Sequence, residues 1–185
     1  MAQGFKSTPR GFTARFTPEE VQVLTQLFED VALTLEPDEQ PNADPLAALV
    51  GISEAAQVPQ DPAVARMLPV ASDDPEVADE FRRFTELSLR QSKIAALNMA
   101  AMDAQSGDVT LDAEHARAWA SALNDVRLTL ATRLGLKNEE DATRIAAHTD
   151  WKDVSTTEEY MALLYNFMTW LQDTLMDAML STLDS

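Results

Sequence analysis

The sequence has no cysteine among its 185 residues. Disulfides, thiolate metal sites, cysteine nucleophiles and thiol redox sensing are therefore excluded. Histidine is nearly as scarce, because only His115 and His148 occur, and neither has the spacing of a metal-binding pair. The chain also lacks a glycine-rich phosphate loop and a nucleophile elbow. These absences predict a protein that is not an enzyme and that uses no cofactor or metal.

Long apolar stretches and basic residues are also in short supply. No run of about 20 uncharged apolar residues occurs, and the N-terminal residues lack the apolar core of a signal peptide. Lys and Arg number 14 against 31 Asp and Glu, so the formal charge is −17. Such a charge favours solubility and opposes binding to nucleic-acid phosphates or anionic membranes. We therefore expect a cytoplasmic protein that does not bind membranes.

What the chain does contain is helical periodicity. Glycine occurs only 5 times, and apolar residues recur at three- and four-residue steps. Thr17 and Thr156 each begin a capping box, since Glu follows three residues later. Asp112 can cap a further helix that ends at Gly135. The pattern predicts an all-α protein, an orthogonal or irregular bundle of about four main helices with short helices added.

The longest helix is expected to start at Asp74-Pro75 and to run to Met102. Asp can accept from the free N–H groups of the first turn, and proline is tolerated at the first helical position. The whole run of about 28 residues would be about 40 Å long at 1.5 Å per residue, long enough to be the spine of a small domain. Its second half is apolar all round, which predicts that other helices enclose it. In the first half, three- and four-residue steps place these residues on one apolar face: Val77, Phe81, Phe84 and Leu87.

The N-terminal region is predicted to be partly extended. Residues 1–10 are interpreted as a mobile tail, and residues 11–185 as a single helical domain. Apolar residues alternate in 12–16 and again in 108–112, which indicates a small two-stranded β-ribbon.

A proline-rich arm occupies residues 36–74. Its two internal Asp-Pro pairs precede short apolar stretches, and each is predicted to begin a short helix, over 44–51 and 61–69. A short acidic helix is predicted after Asn138.

One group of charged residues on the spine is a candidate site. It consists of Glu80, Arg82, Arg83, Glu86, Arg90 and Lys93. These bases could form an exposed edge that contacts an anion or nucleic acid. Alternatively they form ion pairs with acids four residues away on the same helix.

A second group interrupts the helix that ends at Gly135. It consists of Asn124, Asp125, Arg127 and Arg133. If these side chains are partly buried, they need polar partners, and we expect the spine to provide them through Glu80, Arg83 or Glu86. Exposure to solvent and a ligand site are the alternatives.

The terminal helix is rich in aromatic residues and methionine beyond a narrow stripe. Methionine-rich faces adapt to varied partners, so this helix could pack on a partner as well as on the core. Plain core packing is the other interpretation.

Two sequence runs resemble an actinobacterial family catalogued as domain of unknown function 2017. The runs are DPEVADEFRRFTELSLRQSKIAAL and WASALNDVRLTLATRLG. The matching positions are Glu80, Phe81, Arg82, Thr85, Glu86, Leu89, Arg90, Lys93, Trp119, Leu123, Asn124, Asp125, Arg127, Leu128, Leu130, Thr132, Arg133, Leu134 and Gly135. The resemblance covers roughly residues 10–180 and brings no catalytic residues with it.

Some members of that family are described as oxidative-stress-responsive transcriptional regulators that act with an alternative sigma factor. The resemblance therefore implies a regulatory role, without cysteine-based sensing in this chain. Our leading hypothesis is a non-enzymatic interaction protein whose partner is another protein, such as a sigma factor, or a second copy of itself. A direct DNA-binding regulator is the second hypothesis, which the charge disfavours, and an unrecognised enzyme is the third.

Overall fold

The computed structural model describes residues 2–37, 58–146 and 154–182. In chain order the elements there are β1 (Gln3–Thr8), β2 (Gly11–Arg15), α1 (Pro18–Leu35), α2 (Pro62–Met67), α3 (Pro75–Ala104), β3 (Asp108–Leu111), α4 (Ala113–Arg133), α5 (Glu139–Ala146) and α6 (Thr157–Leu180). The predicted class, a helical bundle with a small β element, is confirmed. The helix predicted over 44–51 and His148 lie outside the described residues.

The helix starts follow local sequence closely. Thr17 and Thr156 both make complete capping boxes, in which each hydroxyl accepts from the N–H of the Glu three residues later. Asp61, Asp74 and Asp112 cap α2, α3 and α4 by the same kind of side-chain acceptance. These contacts satisfy N–H groups that have no partner inside the helix. The predicted starts of these helices are therefore confirmed.

The β element has three strands rather than two. The predicted pairing is present, because β2 runs antiparallel to β3 with Phe12 opposite Leu111 and Ala14 opposite Val109. In addition, Gln3–Thr8 forms β1, which pairs with the outer edge of β2. The prediction of a mobile tail is therefore wrong for these residues. The physical reason is nonlocal, since Phe5 is buried in the core.

A cluster of aromatic rings joins the sheet to the helices. Trp119 of α4 is fully buried, and its ring centroid lies 5.3 Å from that of Phe5, 6.1 Å from Phe16 and 5.5 Å from Phe28. The indole Nε1 donates to Asp103 Oδ2 of α3 at 3.0 Å. Aromatic pairs at such distances contribute beyond the area they bury. One residue of α4 thus contacts β1, α1, α3 and the residue that follows β2.

Two backbone conformations with positive φ depend on glycine. Gly11 has φ 123°, and a Cβ there would lie 2.2 Å from the carbonyl oxygen of Leu111 on β3. Gly135 has φ 68° just after α4, where Leu136 N–H donates to the Ala131 carbonyl at 2.9 Å. Both conformations are costly for other residues. Gly11 allows the start of β2 to lie against the end of β3. Gly135 ends α4, as the sequence predicts.

Two of the main helix–helix contacts, α3 with α4 and α4 with α6, have α4 in common. The spine α3 packs along both α1 and α4, while α6 lies on the other side of α4 and also supports β1. The apolar C-terminal half of α3 is core, as predicted, with Leu97, Ala100 and Ala104 fully buried. In the part of the chain that the structure describes, no helix has the length and apolarity needed to cross a membrane. The N-terminal half of α3 is the part that departs from expectation.

Candidate interaction surface

The outer face of the first half of α3 is apolar. Val77, Phe81 and Phe84 are 51%, 49% and 52% exposed. They stand four and three residues apart, so they form one stripe on the helix. We call these three residues the α3 stripe. The single apolar face predicted from the spacing is present, and three of its four residues face solvent, while Leu87 is half-buried.

The face of α3 that turns inward carries charge instead. Arg82 is buried, and Glu86, Arg90 and Lys93 are largely buried beside it. Residues four and eight apart lie on one helix face, so these side chains all point towards the body of the protein. The predicted exposed basic edge is therefore wrong for Arg82, Arg90 and Lys93. Among the bases of that group, only Arg83 is exposed.

Arg90 connects this inner face to the end of α1. It forms a 2.8 Å ion pair with Glu86 and donates from Nη1 to the carbonyl oxygen of Leu35 at 2.9 Å. Leu35 is the last residue of α1, where carbonyl groups lack helical partners and the helix dipole is negative. A guanidinium is well suited to both contacts. The Glu86–Arg90 pair was predicted from its spacing and is present.

Lys93 forms the contact between α3 and α4 on the same face. Its Nζ lies 2.7 Å from Asp125 Oδ1, and the Asp125 side chain is fully buried. Burial raises the pKa of Asp125, and the hydrogen bond and charge of Lys93 oppose that rise. The prediction that the spine supplies a partner for this group is right for Asp125. The partner is Lys93, however, and not Glu80, Arg83 or Glu86.

Some polar atoms on the inner face lack a hydrogen-bond partner in the described structure. They are Arg82 Nε, Glu86 Oε2 and Asp125 Oδ2. The Arg82 guanidinium approaches Glu86 only to 3.9 Å. Unsatisfied buried polar atoms cost free energy. In this half of α3, charged side chains are thus buried with some atoms unpartnered, while Val77, Phe81 and Phe84 are half-exposed.

The remaining residues of the second charged group lie elsewhere. Arg127 contacts α6, where it donates to Thr169 at 3.0 Å and Gln172 at 2.6 Å and lies 5.6 Å from the ring centre of Tyr165. The expectation that the spine contacts Arg127 is wrong, because this position faces the opposite neighbour of α4. Asn124 is half-buried.

Arg133 lies at the end of α4 and forms an ion pair with Asp61, the residue that caps α2. Burial of Asp61 raises its pKa, but the Ala63 N–H and Arg133 outweigh that effect and leave the pKa lowered. This pair therefore holds α2 against α4, which is a structural role and does not form part of the α3 surface.

Exposed acids accompany the α3 stripe. Asp73, Glu76, Asp79 and Glu80 are all exposed. Glu80 stands three residues from Val77 and four from Phe84, and Glu76 lies one turn before it on the same flank. The expected pairing of Asp79 with Arg83 is not among the ion pairs of the described residues. The surface is thus an apolar strip with a predominantly acidic border.

Other polar groups in the described ranges look structural. His115 Nδ1 lies 2.8 Å from Asp103 Oδ2, which also accepts from Trp119. That hydrogen bond raises the pKa of His115, against the opposing effect of burial. In residues 2–37, 58–146 and 154–182, no three His, Asp or Glu residues come together as a metal site would require.

Comparison with known proteins identifies the family and leaves its activity open. The sequence profile described as Domain of unknown function (DUF2017) matches residues 2–179. The chain belongs to this DUF2017 family. No curated protein and no solved structure matches the chain. Membership confirms the resemblance, and both of the charged groups described above lie inside the matched range.

The sequence predicted the apolar face of α3 but not its exposure, because the candidate contact surface was placed on the basic residues of the same helix. A signal was present, since Arg82, Glu86, Arg90 and Lys93 are as regularly spaced as the apolar residues. Either face of the helix could therefore have been inward. Asp125, which lies between the buried residues Leu123 and Val126 in the DUF2017 sequence, indicates that a cation must approach α4.

Proposed function

We propose that this DUF2017 protein is a non-enzymatic regulatory protein that acts by binding another protein through the α3 stripe. We further propose that the partner belongs to the transcription machinery, with a sigma factor as the class to test first. The oxidative-stress regulators to which the sequence is similar motivate this choice, and we propose an actinobacterial cytoplasm as its setting. A second copy of the chain is the alternative partner.

The observation that supports the proposal is the exposure of two phenylalanine rings on a helix whose charged residues point inward. Single exposed apolar residues are common, but a contiguous apolar stripe on a soluble protein marks an interaction surface more often. The polar contacts of Arg90 and Lys93 fix the helix so that this stripe stays outward. Exposed aromatic rings such as those of Phe81 and Phe84 can serve as anchors that a partner encloses in a pocket.

Affinity capture with a paired variant tests the proposal. The intact chain is crosslinked and captured from native cells, beside Phe81→Ser/Phe84→Ser and the control Met102→Ser. Met102 is 71% exposed and lies near the other end of the same helix. We expect the double variant to lose about nine-tenths of the captured partner, while the control keeps it.

Unfolding measurements in urea accompany the capture. Substitutions at exposed positions change stability by about 0.5 kcal/mol or less, so both variants should keep the wild-type unfolding midpoint. If the double variant captures the same proteins as the wild type, or if the wild type captures none, the proposal is wrong.

The DNA-binding alternative loses most of its assumed surface. Arg82, Arg90 and Lys93 are directed inward and are largely buried. Of the three bases among residues 1–16, Arg15 is engaged by Asp108, while Lys6 and Arg10 are exposed. With a formal charge of −17, the chain would need a clustered set of free bases to bind a phosphate backbone.

A further inference from the structure

The acidic border of the α3 stripe restricts the chemistry of its partner. Between residues 67 and 89, Arg83 is the one exposed base of the described chain, whereas Asp73, Glu76, Asp79 and Glu80 are all exposed acids. A partner that covers the stripe therefore brings its own border close to these carboxylates. Like charges placed opposite each other across an interface are costly, and opposite charges are favourable.

The shape of the stripe restricts the partner further. Three large side chains at positions i, i+4 and i+7 span about two turns of helix, roughly 10 Å along the axis. A second helix with a similar row of apolar side chains can pack against it, because the side chains of each row fit into the gaps of the other. The backbone N–H and C=O groups of a partner helix bond to each other, so such a partner needs no backbone hydrogen bonds from α3.

Charge argues against a second copy as the occupant. Each chain carries a formal charge of −17, and the same acids border the same stripe in every copy. A symmetric pairing of two α3 stripes would place acid against acid.

We infer that the α3 stripe binds a basic amphipathic helix of another protein, with Val77, Phe81 and Phe84 packing on its apolar face and Glu76 and Glu80 pairing with its Lys or Arg residues. This inference rests on the proposed function and adds the class of partner. Electrostatic attraction between such partners accelerates association and weakens with salt.

Purified full-length protein and a synthetic peptide test this inference. The probe is an amphipathic helical peptide of about 18 residues, five turns, with Leu at i, i+4 and i+7 and Lys on the flanks. Binding is measured by fluorescence anisotropy, and the contact residues by amide chemical-shift changes. We expect binding to the Lys peptide, no binding to the same peptide with Glu in place of Lys, and shift changes centred on residues 76–84.

Two pairs of variants separate specific binding from general attraction to an acidic protein. Phe81→Ser/Phe84→Ser should weaken peptide binding by about tenfold or more, with Met102→Ser as its control. Glu76→Gln/Glu80→Gln should weaken binding about threefold or more and reduce its salt dependence. Its control is Asp173→Asn/Asp177→Asn, which removes two exposed acids four residues apart on α6 and should leave binding within about twofold.

The outcomes distinguish the inference from the proposed function. If the α6 control weakens binding as much as the α3 pair, or if the Lys peptide does not bind, the inference is wrong. When cellular capture still depends on Phe81 and Phe84, only the class of partner is overturned. Sedimentation of the protein alone as a dimer that Phe81→Ser/Phe84→Ser dissociates would assign the stripe to a second copy and overturn the inference as well.

Discussion

At the scale of single residues, Asp125 of α4 carries a buried charge that Lys93 of α3 pairs with. Its carboxylate is fully buried, and Lys93 supplies its one described side-chain contact, at 2.7 Å. Lys93→Met leaves that charge buried and unpaired, so we expect a loss of about 3–5 kcal/mol in the free energy of unfolding. Urea unfolding followed by circular dichroism measures this loss.

Two controls make the Lys93 prediction specific. Lys93→Met/Asp125→Leu removes both charges and should recover most of the lost stability, because an apolar pair can replace a buried ion pair. Arg15→Met breaks a pair whose side chains are 67% and 71% exposed, and it should cost no more than about 1 kcal/mol. Equal losses for Lys93→Met and Arg15→Met would contradict the buried contact.

His115 gives a pH dependence at the same scale. Its pKa is raised in the folded protein, chiefly by the hydrogen bond to Asp103. The folded state therefore binds a proton more tightly than the unfolded state. The resulting stabilisation is fully present below the unfolded pKa of about 6.5 and is lost as pH rises through the folded value. Because the side chain is 39% exposed, the effect should be about 0.5 kcal/mol or less.

An NMR titration of the His115 ring checks this directly, with Asp103→Asn as the matched variant. An asparagine oxygen can still accept from Trp119 Nε1, while the negative charge beside the imidazole is removed. We expect the pKa of His115 to fall in the variant. An unchanged titration would show that Asp103 is not the cause.

At the scale of elements, local chemistry predicted where helices begin and long-range contacts decided which way they face. Capping by Thr17, Asp74 and Thr156 involves residues only two or three positions away, so the sequence alone was sufficient. The first half of α3 has two regular faces, one apolar and one charged. The choice between them depends on Leu35, 55 residues before Arg90, and on Asp125, 32 residues after Lys93.

Strand β1 is a second case in which long-range contacts, and not local sequence, determine the structure. Its sequence, QGFKST, has no alternation that predicts a strand. It is held in place because Phe5 packs against Trp119 and the Phe5 N–H donates to Thr174 Oγ1 at 3.1 Å, across 169 residues. Gly4 allows this approach, since a Cβ there would lie 2.7 Å from the Thr174 methyl group. A contact of this kind cannot be read from a short window of sequence.

At the scale of the whole molecule, the net charge acts on the fold and on the proposed complex in opposite directions. A chain of charge −17 repels itself in the compact state, while the same charge attracts a basic helix. Raising NaCl from about 0.01 M to about 1 M shortens the Debye length from about 30 Å to about 3 Å and screens both interactions. We expect the free energy of unfolding to rise, by roughly 1 kcal/mol, and the affinity for the Lys peptide to fall over the same range.

The charge variants locate these two effects. Glu76→Gln/Glu80→Gln and Asp173→Asn/Asp177→Asn each remove two negative charges, so both should flatten the salt dependence of stability. The α6 pair should raise stability more at low salt, because Asp177 lies in the last turn of α6, where a negative charge is unfavourable, while Glu76 lies in the first turn of α3, where it is favourable. Only the α3 pair should flatten the salt dependence of peptide binding, because only those acids border the stripe. Self-repulsion arises from the charge of the whole molecule, whereas recognition of the peptide depends on one face of α3. If both pairs of substitutions changed the salt dependence of peptide binding equally, this distinction would be wrong.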